Sequence, residues 1–546
     1  MTTYAELLDN PSITRQYLAI FTPVDGTGAN PFYLYFSTHG FRSGASDSPP
    51  STLFEARLKT PINFTDKMFS GNNIFGGTST SFGDIEINNA DGALDDYLEL
   101  AWDGTQVDIY LGGLDFDLND YELVQSAIIQ DVIWNLESIS IKLRDRRAEL
   151  EGPVQEEVYE VASGVDGNAK PLVFGKVYNI QPTLVDETNL IYEYAYNPAG
   201  TPSLDAVYFN GVLATLTTDY TDNGDGTFTL TGDPLGRVTC DVETTHGSIT
   251  YTGTAANLIK SILTHKAGFV WPDDFDETAF DALDSTTPAD TSSDPSDWTM
   301  GVYINDTRIT FEQVLDYLAA SVGAYWTFTQ ENKLTLKEIK LATSSKDIDE
   351  TLIKTIKRTR TPIPAHRVTC GYAKNYTVMA ESEIGATSTR KQFSQFEYRY
   401  VYQESTDVSD AHQSRELAID GAWTVSVPPQ HLATRLLAYF GDDQNIYEVV
   451  CQDAGTRVQL GDTITLQHSR FNLDTDYLVI GTAYNSRTSE VKLTLLGDKD
   501  ATLAQNLVDT QDVYAYGNTS WVLYGDAEAV GYESATSPEM VSAEVG

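Results

Sequence analysis

Cysteine is nearly missing from this chain: Cys240, Cys370 and Cys451 are the three in 546 residues, widely separated and without a CxxC. That scarcity argues against a disulfide framework and a cysteine-bound structural zinc. All three are expected to be buried small hydrophobes rather than reactive thiols. Basic residues are scarce too, 35 Lys and Arg against 79 Asp and Glu, for a formal net charge of -44. Such a balance disfavours gripping nucleic acid, where Lys and Arg neutralise phosphates, and disfavours docking on anionic lipid. It suits a salt-adapted solvent or a wall that repels DNA. No apolar run approaches the ~20 residues that span a bilayer. The first residues, MTTYAELLDNPSITRQ, lack a basic segment followed by an apolar core, so no signal peptide is expected. The expectation is a chain made in the cytoplasm, with no membrane anchor of its own.

The motifs of common chemistries are missing as well. The sequence holds no HExxH, GxxxxGK[ST], GxSxG or GxGxxG. Its histidines (His39, His246, His265, His366, His412, His431 and His468) have no ligand-like spacing. His366 and Cys370 are close in sequence, but four residues along an extended strand span about 13 Å. Asp115, Asp117 and Asn119 begin like a calcium loop, yet Asp120 stands where Gly is needed and Ser126 where a bidentate Glu is needed. A solvated turn is expected there. The carboxylate run Asp273 to Asp284 could house a glycosidase-like pair, although acidic clusters arise readily in so acidic a chain. No catalytic, cofactor-binding or metal-binding residue is assigned, and the chain is not expected to be an enzyme.

What is present is a grammar of short alternating strands and Gly-Asp turns, used twice. One block runs from Ser81 to Gly113 and the other from Arg457 to Gly497. Ile85 and Ile87, then Val107, Ile109 and Leu111, recur at every second position. Ile464 and Leu466, then Val491, Leu493 and Leu495, do the same. That period places one face of each strand on a core. Asn-Ala-Asp-Gly, Trp-Asp-Gly and Leu-Gly-Asp supply tight connections, because Gly tolerates positive φ and Asp closes its own turn. A chain of this length requires several cores.

The expected fold is mainly β with α+β insertions, in several domains: two hub-type β-barrels plus inserted small β and α+β modules. Residues 1–165 form the first β domain, with strands at Gln16–Thr22, Phe32–Ser37, Ile128–Trp134 and Ile139–Leu143 and a connector at Glu149–Glu157. Residues 166–250 form a small β domain around the hairpin signal Asp222-Asn223-Gly224-Asp225-Gly226. Residues 251–345 form an α+β module. In it Thr254 caps a helix carrying Leu258, Ile259 and Ile262. A Pro- and Asp-rich loop follows near 284–298. Thr310 and Gln313 then make a capping box ahead of the stripe Phe311, Val314, Leu315 and Leu318, which ends at Gly323. Residues 346–500 form the second β domain, with a helical interval at about 409–440 bounded by Pro428, Pro429 and Gly441. Residues 501–546 are a polar extension that holds Trp521, Tyr524 and Tyr532.

One segment is locally basic, Lys354–Arg360 (KTIKRTR). Lys354, Ile356 and Arg358 alternate with Thr355, Lys357 and Thr359, so both faces of the strand carry charge. It reads either as a docking strip for an acidic neighbour, such as another copy of the chain, or as an edge strand guarded by charge.

Several stretches together resemble the tail-tip, or baseplate hub, proteins of long-tailed bacteriophages with non-contractile tails. They are SFGDIEINNADGALDDY and WDGTQVDIYLGG within 81–113, KPLVFGKVYNIQPTLVD at 170–186 and DAVYFNGV at 205–212. FEQVLDYLAASVGAYWTFTQENKLTLKEI at 311–339, RVTCGYAKNYTV at 367–378 and LGDTITLQHSRFNLDTDYLVIG at 460–481 complete the set. Their order spans about 80 to 497 and leaves the first 40 residues and the last segment uncovered. The resemblance implies a homotrimer with two hub-type barrels per subunit, arranged as a pseudo-sixfold ring in a phage tail. Such a ring joins the distal tail protein or tail tube to the tip and its fibres or receptor-binding proteins. It surrounds the channel for tape-measure protein and for DNA in transit, and it places the chain in the virion. No catalytic group carries over, and no cofactor. Some proteins of this kind bear cysteine-bound clusters or peptidoglycan-cutting domains, which the three isolated cysteines and missing motifs do not support here. Two other readings remain: a hexameric distal-tail ring or peripheral receptor-binding protein, and a glycan-binding or glycan-cleaving protein.

Overall fold

The computed structural model describes residues 3–498, apart from 10–11, 26–30, 70–74, 161–164, 197–199, 247–252, 287–299, 361–362, 412–414, 442–443 and 453–457. The extension at 501–546 and most of the loop near 284–298 therefore lie outside the described residues.

Ten strands form the framework. In the first part of the chain these are β1 (Leu58–Thr60), β2 (Ile85–Asn88), β3 (Gln106–Gly113), β4 (Glu122–Trp134) and β5 (Ser138–Arg144). Near the end come β6 (Ile353–Arg360), β7 (Gln444–Gln452), β8 (Thr463–His468), β9 (Leu473–Asn485) and β10 (Glu490–Asp498). The first five lie in the sheet order β3-β4-β5-β2-β1, and the second five in the order β8-β9-β10-β7-β6. Chain order and sheet order are thus the same in both sets, and every neighbouring pair is antiparallel. In each set a one-turn 3₁₀ helix links the third strand to the fourth, Leu118–Asp120 in one and Ser469–Phe471 in the other. Each fourth strand is 13 residues long. Each is also bulged against its fifth strand, between Ile129 and Asp131 and between Val479 and Gly481. A bulge inserts one residue, bends the strand and lets its two halves serve different neighbours.

Alternation explains why these segments are strands. Ile85, Ile87, Val107, Ile109, Ile464, Leu466, Leu493 and Leu495 are all fully buried. Each such side chain contributes roughly 1.5–3 kcal/mol against leaving it in water. Both sheets extend beyond the shared five strands. Arg15–Phe21 adds antiparallel to β3, whereas Lys346–Ile348 adds parallel to β8. Both strand paths have two ends, so neither sheet closes into a barrel among the described residues. The expected barrels are open sheets here.

The two sheets are not separate beads. Ile109 and Ile141 belong to the same hydrophobic core as Ile464 and Leu493. Between β1 and β2 the chain throws out an arm, Asn63–Lys67, that pairs antiparallel with the second half of β9, from Asn63 opposite Asn485 to Lys67 opposite Gly481. The arm also pairs with Ser79–Phe82.

The modules within 172–338 lie between the two units in the chain. Leu172–Ile180, Gly200–Phe209 and Val238–His246 form a sheet, completed by Gly301–Ile304 from further along the chain. A small four-stranded sheet includes the hairpin Tyr220–Asp222 and Thr227–Leu230 across the Asn-Gly-Asp-Gly turn. Helices Ala255–Ile262, Glu277–Thr286 and Phe311–Ser321 pack with strands Ala324–Phe328 and Leu334–Glu338. The expected capping box is formed. The Gln313 backbone N–H donates to Thr310 Oγ1 at 3.3 Å, and the Thr310 N–H donates to Gln313 Oε1 at 3.2 Å.

Two local expectations change. The interval near 409–440 holds a short helix Thr406–Ala411, a strand Arg415–Asp420 and then the helix Val427–Phe440. That strand joins Ala365–Tyr372 and Arg399–Glu404 in a three-stranded sheet, so a tertiary partner selects its conformation. The stretch Glu149–Glu157 is no loose connector: Leu150, Val154 and Gln155 are buried, and the Gln155 amide donates to the Lys170 carbonyl at 2.7 Å.

Candidate functional site

The residues singled out for chemistry are held in structural roles. In the carboxylate run, Asp274 accepts from Arg146 at 2.6 Å and from the Val270 backbone N–H at 2.7 Å. Asp276 accepts from the Ala279 N–H at 3.2 Å, at the start of the helix Glu277–Thr286, and from the Thr335 hydroxyl at 2.9 Å. Asp284 accepts from Asn257 at 3.0 Å and bonds Thr254. Asp276 thus ties the start of one helix to a strand, Asp284 ties two helices together, and Asp274 holds Arg146 against its own loop.

Asp117 and Asp120 close the loop after β3 on itself. The Asp117 N–H donates to Asp120 Oδ2 at 3.2 Å, and the Asp120 N–H returns to the Asp117 carbonyl at 2.9 Å. Among the described residues, no group of three or more His, Cys, Asp or Glu could hold a metal ion. All three cysteines are free and buried. Burial pushes the Cys370 and Cys451 thiols up to about 12, and Cys240 up as well, so none forms a thiolate near neutrality. His366 and Cys370 sit on one strand, Ala365–Tyr372, where the extended spacing keeps them apart.

The basic segment is β6, the terminal strand of the second sheet among the described residues, paired there with β7 alone. Lys354, Lys357 and Arg358 are exposed, and Lys354 forms an ion pair with Glu490 on β10. The edge-strand reading is therefore met. The Arg360 side chain lies outside the described residues.

Sequence reasoning missed the junction between the two β units. There the Met68 N–H donates to the Ile480 carbonyl at 2.9 Å, and the Ser486 N–H to Asn63 Oδ1 at 3.0 Å. Arg487 reaches Thr60 Oγ1 at 3.1 Å, and the Phe64 ring packs on Tyr484 at 5.6 Å between centroids. Tyr17 and Tyr484 share a buried hydroxyl contact across the units. Asp66 on the arm lies beneath this seam, and burial raises its pKa to about 6. Hydrogen bonds from Thr80 and Thr482 oppose the shift, and Asp145 adds to it. The cavity beside Asp66 and Asp145 is about 50 Å³. That is room for a water or two, against the roughly 300–1,000 Å³ of ligand pockets. Larger recesses occur, one of about 660 Å³ beside Gln181, Tyr303 and Tyr376. Its lining has tyrosines, amides and one arginine but neither a carboxylate nor a histidine, so it brings no acid–base pair together. Among the described residues no helix is long and apolar enough to cross a membrane.

No protein-family model matches the chain, and no curated protein does. Among solved structures it is similar to a tail protein from Neisseria meningitidis MC58, at 10% identity and a TM-score of 0.39, over 88% of this chain and 97% of that one. The 43 kDa tail protein of prophage MuSo2 from Shewanella oneidensis is similar at 11% identity and a TM-score of 0.38, over 88% and 98%. Prophage tail protein gp18 from Listeria monocytogenes EGD-e is similar at 10% identity and a TM-score of 0.37, over 90% and 97%. At these scores the likeness assigns no role to any residue.

Proposed function

We propose that this chain is a structural protein of a phage virion, the central hub of the tail tip, and that three copies of it form a ring around an open bore. The observation that carries this reading is the duplicated five-strand unit, with identical strand order and sense, packed side by side in one core. Two equivalent units per chain let three chains present six equivalent surfaces. Such a ring can cap a sixfold tube on one side and a threefold tip on the other. The sequence resemblance to hub proteins supports the same arrangement. Its partners are a second and third copy of itself, the distal tail protein or tail tube, tape-measure protein, and fibre or receptor-binding proteins.

A hexameric distal-tail ring fits the duplication less well, because six chains would then present twelve units. A glycan-cleaving reading is weakened by the engagement of Asp274, Asp276 and Asp284 in caps and ion pairs. The proposed role is therefore non-enzymatic. The net charge of -44 supports a bore through which DNA passes without adhering. Native mass measurement of the purified chain tests the reading: a trimer supports it, and a stable hexamer or a monomer at all concentrations overturns it.

A further inference from the structure

The two units also differ in what lies beside their fourth strands. In β9 the residues after the bulge, Gly481–Asn485, are paired on both sides, with β10 and with the arm Asn63–Lys67. In β4 the corresponding residues after the bulge, Asp131–Trp134, are paired, among the described residues, with β5 alone. The correspondence extends to side chains, since Trp134 stands four positions after the bulged residue Gln130, as Tyr484 does after Ile480. Tyr484 is covered by Phe64 of the arm. Trp134 is half-buried, edge-on against Trp102, with no arm strand beside it among the described residues, and its neighbours are open: Ile133 is 39% exposed and Leu136, at the turn into β5, is 92% exposed.

The open side is a hydrogen-bonding edge. The Asn135 N–H donates to the Ser138 carbonyl at 2.8 Å. Counting back by the two-residue period of an antiparallel ladder, Ile133 and Asp131 face β5, and the N–H groups of Val132 and Trp134 face away from it. Val132 donates to its neighbour's Asp131 side chain at 2.9 Å, a local cap that a strand would displace. Edges that stay free are commonly guarded in such a way. An exposed Leu and Ile beside the cap are not part of that protection.

We infer that the second half of β4 is a strand-accepting edge for a second copy of this chain, and that it takes there what β9 takes from the arm. This rests on the ring reading. The first unit's arm covers the second unit within a chain, so in a ring of quasi-equivalent units the matching contact is the second unit of the next copy covering the first. The donor is the insertion between β6 and β7, which stands where the arm stands between β1 and β2. Within it, Arg399–Glu404 has one edge with no strand partner among the described residues, where the Tyr402 carbonyl accepts from the Gln430 amide at 3.3 Å, and it exposes Tyr400 and Tyr402. Strand addition of this kind gains affinity from main-chain bonds and specificity from alternate side chains.

The test uses the full chain. Val132→Pro removes an N–H that the β5 ladder does not use, and Pro is tolerated on edges. Leu136→Asp, a surface change, is the second variant. Both are expected to lose the trimer while keeping the wild-type circular dichroism spectrum. Amide exchange in the peptide 129–137 of the wild-type chain should slow by roughly a hundredfold or more on going from dilute monomer to trimer. A trimer that survives both substitutions, with exchange in 129–137 unchanged by assembly, overturns this inference and leaves the ring reading standing. A hexamer that both substitutions disrupt keeps the edge pairing and overturns the trimer. A wild-type chain that never self-associates overturns both.

Discussion

Gly104 and Gly461 open β3 and β8, the equivalent third strands of the two units, and both hold left-handed backbone, at φ 75° and 81°. Alanine at either position carries the left-handed penalty, about 1–2 kcal/mol. Their surroundings differ. A Cβ on Gly104 would meet nothing within 4 Å, whereas one on Gly461 would lie 2.0 Å from the Tyr325 hydroxyl. That hydroxyl is buried and donates to the Leu460 carbonyl at 2.7 Å, tying the α+β module to the second sheet. Displacing it leaves buried polar groups unpaired, at about 1–3 kcal/mol. Gly104→Ala is therefore expected to cost about 1–2 kcal/mol, and Gly461→Ala about 2–5 kcal/mol. Because a chain with several cores need not unfold in one step, the assay is native-state hydrogen exchange, read locally in β5 and β10. Equal losses at the two sites, or a larger loss at Gly104, would refute the reasoning.

Asp66 is raised from 3.8 to about 6 in the fold, so the native chain holds a proton that the unfolded chain has released between those values. Stability at the seam is therefore greatest below the lower value and falls as pH rises through about 6, by on the order of 3 kcal/mol. Asp66→Asn should stabilise the seam at pH 8 and have little effect at pH 3.5, as judged by native-state hydrogen exchange in β9 corrected for the intrinsic rate at each pH; equal effects at both would contradict this. Thr310→Ala removes the hydroxyl of the capping box and should cost ~1 kcal/mol, measured by native-state hydrogen exchange in the helix Phe311–Ser321. The thiols of Cys240, Cys370 and Cys451 should resist iodoacetamide in the native chain and react after denaturation. A fast native reaction would show that the burial argument is wrong.

The strands themselves were readable, because Ile85, Ile87, Ile464 and Leu466 announce a buried face every second residue. Their equivalence was not. The blocks Ser81–Gly113 and Arg457–Gly497 read alike, yet the first holds β2 and β3 and the second holds β8, β9 and β10. Only β3 and β8 correspond. Local alternation shows which face is buried but not which strand lies alongside, and the arm and the stretch 361–443 separate first strands from second ones. Arg415–Asp420 was hidden for a related reason: its six residues gain strand character from pairing with Ala365–Tyr372. Capping signals travelled better, since Thr310 with Gln313, Pro428 with Pro429, and Gly441 act through neighbours in sequence. The junction around Asp66 could not be read at all. Its partners Thr482 and Asp145 are distant in the chain, and the sequence marks Asp66 as one acid among 79.

The central claim is that paired five-strand units let three chains imitate six. Native mass spectrometry of the purified assembly addresses it most directly. A species of three chains, about 180 kDa from a 60.2 kDa subunit, is the predicted result; a hexamer, or a chain that stays single at every concentration, would contradict it.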